Sequence, residues 1–336
     1  MFGDLFFVLS NKRLLNSSGR VLSHDELIKL WAFYNLIKGG SYSKLIMRGE
    51  SDENLDWQFL ADTKNPAVLA ECLFMTGEKA RICWNNRCFV DPDNTSVRNF
   101  EKICESLYYH IRDGLRGKGE RAERLREYAR KNEDFCKALE NIPGILNSYS
   151  ALGEKDRVLA NLHYLSISHT INSFKYKNAS GFVSATTEAQ VADKFAVDAM
   201  IYGWVPKSTN VTNVRGRTID NVAACYEKSL RQLGLPYPVT AVYPEQSEIS
   251  LRCGFLPHFI IGFSAGKEFY VNPAVFTTID RMNELTSFRA LSSFKRDIQL
   301  FGMDVNQEHF EDFLRQTGYR RYFTFDGDEY VIHRMT

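Results

Sequence analysis

Apolar positions recur at a helical period in the first half of the chain. The segment HDELIKLWAFYNLIKG (residues 24–39) has this spacing, with Ser23 in the N-cap position and Gly39 as its stop. From residue 97 to about 140, VRNFEKICESLYYHIRDGL and ERAERLREYARKNEDFCKAL repeat the pattern. These spacings predict a mixed, largely helical N-terminal region.

After Pro143 the chain changes to short, strand-like runs separated by Gly, Asn and Pro. The predicted strands are VLANLHYLSIS, SGFVSATT, AMIYGWVP, YPVTAVYP, SEISLR and HFIIGFSA. Two short helices, TEAQVADKFAVDA and NVAACYEKSLRQLG, lie between them, and the tail reads as two more helices followed by a hairpin on Asp326-Gly327. The predicted fold class is therefore α+β.

The length of 336 residues favours more than one domain. The Asp-Pro-Asp-Asn cluster at 91–94 is the predicted boundary. Residues 1–95 would form a mixed α/β region of unknown role, including a hairpin that turns at Asn85-Asn86. Residues 96–336 would form a second domain, with a helical lead-in over 97–145 and a core over about 155–265.

Composition is ordinary for a globular protein, with a formal net charge of +1 that gives no global attraction to nucleic acid or membrane. No apolar run reaches the ~18 residues of a membrane span, and Asp4 interrupts the apolar N-terminus, which argues against a signal peptide. The seven cysteines, an odd and scattered set, suggest a reducing cytoplasm. Cys83 and Cys88 lack a partner pair at zinc spacing and are interpreted as free thiols, so no metal site is predicted.

The stretch from Arg112 to Lys131 holds eight basic and four acidic residues. A solvated helix laced with ion pairs between residues four apart explains this pattern. A basic surface that follows phosphates is the functional alternative.

Polar residues recur in three strand-like segments of the second half. LHYLSISHT carries His169, GFVSATTEAQVADKFA carries Ser184, and YPEQSEISLR carries Gln246 and Glu248. Each segment alone has a plain structural explanation, such as a threonine capping the helix after SATT or a solvent-facing strand edge. In this order, the segments resemble the ADP-ribosyltransferase superfamily. That family has a first-strand Arg or His, a strand with Ser-Thr-Ser or a variant, and a strand whose Glu follows a Gln or Glu two residues earlier.

The resemblance covers about residues 155–265. It implies a split β-sandwich catalytic domain that uses NAD⁺ as co-substrate and cleaves its nicotinamide–ribose bond. Glu248 would stabilise the oxocarbenium-like centre, as a carboxylate does in glycoside hydrolysis, and Ser184 would orient Glu248. The remaining NAD⁺ contacts would come from His169 (with His163 as the alternative first-strand anchor), Thr186 and Phe195. The predicted first strand contains no Arg, which departs from the arginine form of the pattern.

Gln246 bears on the acceptor, because residues 246 and 248 would share one strand face unless a bulge exchanges Gln246 with Glu245. In the family a Gln here goes with nucleic-acid bases or protein amides, and an amide both donates and accepts hydrogen bonds. A nucleic-acid acceptor (RNA or DNA) is favoured, with Arg215 and Arg217 as further basic residues. A protein Asn or Gln is the first alternative, and a non-catalytic binding protein on a degenerate transferase fold is the second. The resemblance also implies a toxin or phage-defence effector held by an antitoxin or chaperone.

Overall fold

The computed structural model describes residues 2–39, 43–59, 61–78, 94–171, 181–206, 219–220, 223–252, 254–255, 257–284, 321–325 and 330–334. The helices are α1 (Leu5–Asn11), α2 (His24–Gly39), α3 (Asp52–Phe59), α4 (Pro66–Thr76), α5 (Val97–Arg116), α6 (Glu120–Lys131), α7 (Glu133–Glu140), α8 (Ile142–Ser150), α9 (Glu154–Ile171), α10 (Ala189–Phe195), α11 (Ala223–Gln232) and α12 (Ala274–Glu284). The strands are β1 (Arg13–Leu15), β2 (Ser43–Glu50), β3 (Phe182–Thr186), β4 (Ala199–Pro206), β5 (Ile219–Asp220), β6 (Glu248–Arg252), β7 (Ile260–Ala265), β8 (Glu268–Val271), β9 (Arg321–Phe325) and β10 (Tyr330–Arg334). The predicted α+β class is confirmed.

Eight strands form one sheet in the order β1-β8-β7-β4-β2-β3-β6-β5. All neighbours are antiparallel except β1 and β8, which are parallel. Strands β9 and β10 form a separate antiparallel pair, with Phe325 opposite Tyr330. This pairing fits the hairpin that Asp326-Gly327 predicts, although the turn itself lies outside the described residues.

The sheet nearly divides between β2 and β3. These strands share one residue pair, Met47 with Thr186. By contrast, β2 pairs with β4 over eight residues and β3 pairs with β6 over five. The sheet therefore consists of a five-strand part and a three-strand part that separate along the β2–β3 line.

Two hydrophobic cores lie on this framework. The sheet core draws its buried residues from 5–73 and 183–279, with Phe263, Tyr202 and Leu73 among them. The helical core draws most of its residues from 100–171 and adds Phe182 and residues 226–242. Strand β3 serves both cores, because Phe182 packs into the helical core while Val183 and Ala185 pack into the sheet core. The site described below lies where the two cores meet.

Several local predictions are confirmed. Helix α2 has the predicted bounds and begins with a capping box, in which Ser23 Oγ accepts from the Glu26 backbone N–H and the Glu26 carboxylate accepts from the Ser23 N–H. The 97–145 region is helical as predicted (α5 to α8), and the two short helices after SATT and before Gly234 are α10 and α11.

Two element predictions are wrong. The YPVTAVYP run (residues 237–244), expected as a strand, forms no strand, since Pro238 and Pro244 cannot donate hydrogen bonds to a neighbouring strand. The VLANLHYLSIS run, expected as the first strand of the site, lies inside α9. From Val158 to Ser168 nearly every side chain is buried, whichever face of the helix it occupies. A helix that is buried on all sides shows no clear amphipathic period, so its sequence resembles that of a buried strand.

The predicted separation of residues 1–95 from the rest is also wrong. Strand β2, from that stretch, lies between β4 and β3 in the interior of the sheet, and β1 pairs with β8. The chain thus begins the sheet, builds the helices α5 to α9, and then returns to complete the sheet. The helical lead-in is an interruption of the sheet and does not begin a second domain.

Some predictions fall on parts of the chain outside the described residues: the hairpin with Cys83 and Cys88, the pair Arg215 and Arg217, and the two tail helices after residue 284. Cys104 and Cys136 are free thiols, and burial raises the pKa of Cys72 to about 12 and that of Cys136 to about 11. Among the helices that the structure describes, none is long and apolar enough to cross a membrane.

Candidate active site

Three of the predicted site residues meet in one chain of hydrogen bonds. His169 Nε2 lies 2.8 Å from Ser184 Oγ, and Ser184 Oγ donates to Glu248 Oε1 at 2.8 Å. Because the hydroxyl has a single proton and gives it to the carboxylate, the His169 Nε2–H is the donor to Ser184. The chain thus runs in one direction, from imidazole to hydroxyl to carboxylate, and ends on the residue expected to carry the chemistry.

Strand register brings Ser184 and Glu248 together. In the β3–β6 pair, Thr186 is opposite Glu248 and Ser184 is opposite Ser250. Ser184 and Glu248 are therefore diagonal neighbours on one face of the sheet, close enough for a hydroxyl to reach a carboxylate. The β-branched Val183 and Thr186 favour the extended backbone that this register needs.

Helix α9 supplies the histidine. Ser166 Oγ lies 3.3 Å from Ser250 Oγ, and His169, one helical turn later on the same face, reaches Ser184. The side chains of His169 and Glu248 are 16% and 12% exposed. Both residues are therefore mostly shielded from solvent, and each keeps a small accessible surface. Of the two candidate histidines, His169 is the one that contacts Ser184, and it comes from a helix, not from a strand.

The environment keeps His169 neutral. Burial and, to a smaller extent, the positive charge of Arg48 together lower the pKa of His169 to about 4. His169 Nε2 lies 3.6 Å from Glu248 Oε1, and at neutral pH no histidine charge competes with the carboxylate. Among the three side chains, Glu248 is therefore the one that can carry a charge at neutral pH.

Arg48, on β2, bridges the split in the sheet. Its Nη1 donates to the Ser184 backbone carbonyl at 2.6 Å, its Nε lies 2.7 and 2.8 Å from the two carboxylate oxygens of Glu78, and its Nη2 contacts Glu50. Glu50 and Glu78 are almost completely buried, and burial raises the pKa of Glu78 to about 8 against the opposing effect of Arg48. All three guanidinium nitrogens are engaged inside the protein, so Arg48 positions β3 from behind Ser184.

Arg48, Glu50 and Glu78 were missed from the sequence. A usable signal was present: SKLIMRGE is a strand-like run with Lys44 before its apolar centre and Arg48 directly after it, and the pattern that the sequence resembles admits Arg on the first strand. The first strand was expected within residues 155–265, and β2 lies outside that range. The partner Glu78 had no local signal, because it comes from a separate segment that forms an isolated bridge with Phe255.

Gln246 does not share a strand face with Glu248, which corrects the expectation. Pro244–Gln246 form a 3₁₀ turn, and Ser247 has a left-handed backbone with φ of 45°. Strand β6 begins only at Glu248. Proline fits the first position of such a turn, and the left-handed residue then reverses the backbone, so the i, i+2 rule for strands does not apply here. Gln246 is partly exposed and Glu245 points away to Arg124.

The two other expected NAD⁺ contacts fare differently. Thr186 is buried; its Oγ1 donates to the Gln246 carbonyl at 2.6 Å and accepts from the Glu188 N–H at 3.0 Å. Its hydroxyl therefore ties β3 to the turn before Glu248 and begins α10, and the expected cofactor contact is not supported. Phe195 is 55% exposed at the end of α10 and presents an aromatic face to solvent.

The basic stretch behaves mainly as a helix laced with internal contacts. Arg126 donates to the Gly117 carbonyl at the end of α5, and Arg121 donates to the Ile171 carbonyl at the end of α9. Arg124 pairs with Glu120 and Glu245. These three arginines are bonded to groups of the same protein. The stretch therefore supports a surface that binds nucleic-acid phosphates less than its composition suggested.

His163, the alternative anchor, lies in the helical core. It is 0% exposed, with its ring edge-on to Tyr226 at 6.0 Å, and neither ring nitrogen has a hydrogen-bond partner among the residues that the structure describes. Burial lowers the pKa of His163 to about 4. It therefore takes no part in the site.

In comparisons with known proteins, no family model, curated protein or solved structure matches the chain.

Proposed function

We propose that this protein is an NAD⁺-dependent ADP-ribosyltransferase with Glu248 as its catalytic residue. The observation that carries the proposal is the one-way hydrogen-bonded chain His169–Ser184–Glu248. It joins residues from three separate elements, α9, β3 and β6, and ends on a carboxylate at the edge of the site. A surface glutamate without a function is not expected to be held by two ordered polar side chains, as Glu248 is held by Ser184 and His169.

The proposed reaction breaks the bond between nicotinamide and C1′ of its ribose. The bonding electrons leave with nicotinamide, which departs neutral, and C1′ takes on oxocarbenium-like positive charge. Glu248 stabilises that charge and accepts a hydrogen bond from the ribose 2′-OH. A nucleophile of the acceptor then bonds to C1′ and loses its proton to solvent water. Ser184 and His169 hold Glu248 in orientation and leave it ionised.

Arg48 extends the likeness to the family pattern and also limits it. The pattern of a first-strand Arg, then Ser, then Glu is met by Arg48, Ser184 and Glu248 on the neighbouring strands β2, β3 and β6. The near-division of the sheet beside this site is consistent with a split β-sandwich. The guanidinium of Arg48 donates to Glu50, Glu78 and the Ser184 carbonyl. We therefore propose that Arg48 positions β3 and does not bind the pyrophosphate of NAD⁺.

For the acceptor we propose a nucleic-acid base, since the partly exposed amide of Gln246 offers both a donor and an acceptor beside the site. A protein Asn or Gln is the second candidate. It is favoured by the internal engagement of Arg121, Arg124 and Arg126 and by the net charge of +1. A role as a toxin or defence effector with an antitoxin stays a prediction.

The test is nicotinamide release from radiolabelled NAD⁺, with label followed separately into the protein and nucleic-acid fractions of a cell lysate. Glu248→Gln is nearly isosteric and removes only the charge, so we expect a rate loss on the order of 10²–10³. Ser184→Ala removes orientation and keeps the charge, and a loss of about tenfold is expected.

Two outcomes would contradict this proposal. Full activity in folded Glu248→Gln would remove the site assignment. Wild-type protein that binds NAD⁺ without releasing nicotinamide would favour a non-catalytic binding protein instead. If the label from NAD⁺ appears in the protein fraction and not in the nucleic-acid fraction, the acceptor is a protein side chain and not a nucleic-acid base.

A further inference from the structure

The turn that precedes Glu248 is held from outside its own strand. Ser247 breaks the extended backbone, so the strand β6 does not set where Gln246 lies relative to Glu248. Thr186 fixes one side of the turn through the Gln246 carbonyl. The other side faces helix α6.

Helix α6 contacts this segment at two places. At its C-terminal end, the buried Asn132 accepts from the backbone N–H groups of Val239 and Thr240 at 2.6 and 3.1 Å. Two turns earlier, Arg124 Nη1 bonds to the Glu245 carboxylate, and the guanidinium lies over the Tyr243 ring at 5.3 Å from its centroid. The segment 239–245 therefore runs along α6 and is fastened at both ends.

The same helix face also reaches the histidine side of the site. Arg121, one turn before Arg124, donates to the Ile171 carbonyl, two residues after His169. Helix α6 thus contacts both chain segments that flank the His169–Ser184–Glu248 chain. The helix therefore connects both sides of the site through the contacts of Arg121 and Arg124.

We propose that Arg124 is a positioning residue that orients the acceptor-side turn, acting through Glu245 and Tyr243. The inference rests on the proposed transfer function. It assigns to Arg124, which is distant from Glu248 in sequence, the role of favouring transfer to the acceptor over hydrolysis of NAD⁺. Arg124 touches neither Glu248 nor Ser184, so the cleavage chemistry proceeds without it. Its loss frees the turn that carries Gln246.

Arg124→Ala is expected to lower transfer of labelled ADP-ribose about fivefold to tenfold. Nicotinamide release without acceptor should stay within about twofold of wild type, since the hydrogen-bonded chain to Glu248 is intact. Glu245→Ala should behave alike, and the double variant should be no worse than either single one, because both changes remove the same contact. Arg124→Lys keeps the ion pair but loses the planar stacking, and should recover part of the transfer.

Lys131 and Glu127 provide a matched control, an ion pair on the same helix with side chains 50% and 55% exposed. Lys131→Ala should change neither activity. Hydrogen exchange gives a readout independent of activity: amides of residues 239–247 should exchange faster in Arg124→Ala and unchanged in Lys131→Ala.

The outcomes separate the two proposals. If wild-type protein releases no nicotinamide, the proposed function fails, and unchanged exchange at 239–247 would overturn the role of Arg124 as well. If wild-type protein transfers label, an equal loss of transfer and hydrolysis in Arg124→Ala, or no loss of either, would overturn the positioning role alone. Nicotinamide release with no labelled acceptor would also overturn it, because Arg124 would have no transfer to favour.

Discussion

The sheet core and the helical core are built from the chain in different ways. The sheet core collects residues from two stretches separated by about a hundred positions, and its strands pair across that gap. The helical core is nearly continuous in sequence, with most of its members between Phe100 and Ile171. Local contacts therefore dominate the helical core and long-range contacts dominate the sheet core.

The candidate site lies on the boundary between these regions and needs both. Ser184 and Glu248 lie on β3 and β6, whose neighbouring side chains pack into the sheet core. His169 lies on α9, most of whose residues pack into the helical core. Neither region alone forms the hydrogen-bonded chain. A change in how the two regions pack should therefore reach the site even when the strands and helices themselves remain.

The largest effect is expected from Phe100→Ala. Phe100 is fully buried and stacks on Tyr149 with ring centroids 3.9 Å apart. Its loss leaves a cavity that should cost about 3–5 kcal/mol of unfolding free energy. Hydrogen exchange should show reduced protection in α5 to α9 while β4 and β7 keep theirs. Phe263→Ala, in the sheet core, is the matched change and should reverse the pattern; equal loss in both regions would show a single cooperative unit.

A smaller effect is expected from Gly49→Ala in the sheet. A Cβ at Gly49 would lie 2.2 Å from the Ala196 backbone nitrogen and 2.4 Å from the Ala192 carbonyl oxygen. Strand β2 packs this closely beneath α10, so either backbone must move, at a cost of about 1–3 kcal/mol. Denaturant unfolding measures the loss. Gly153→Ala, where nothing lies within 4 Å, is the control in the helical region. Equal stability of the two variants would contradict the close packing.

The third effect concerns acid and the helical core, and by pH 5 it reaches about the size expected for Gly49→Ala. The pKa of His163 is about 4 in the folded protein against its ordinary 6.5, so the unfolded chain binds a proton first as the pH falls. The contribution of His163 to stability is therefore constant above about pH 6.5 and is lost between 6.5 and 4, by at most about 1.4 kcal/mol per pH unit. His169 contributes in the same sense.

Urea unfolding at pH 7 and pH 5 tests this expectation. His163→Leu should reduce the difference between the two pH values, because one of the two buried histidines is gone. The exposed His24→Gln should leave it unchanged. An unaltered difference in His163→Leu would mean that the buried imidazole is not the source of the acid sensitivity.

What the sequence determined by itself was local. The capping box of α2, the helices α5 to α8, the strand FVSAT and the helix after it are set by spacing and caps over a few residues. His169, Ser184 and Glu248 were singled out by a resemblance that three short segments carry, and not by local spacing. The helices and the strand could be predicted because each rests on neighbours in the chain.

Tertiary structure decided the rest. Residues 158–168 became a helix because burial on every face removes the period that separates helix from strand. Arg48 entered the site because β2 is inserted between β4 and β3, a pairing that joins residues more than a hundred positions apart. The place of Gln246 depends on Thr186 and Arg124, which hold the turn from two other elements. Such contacts are fixed by the packing of distant segments, for which a single sequence carries no local signal.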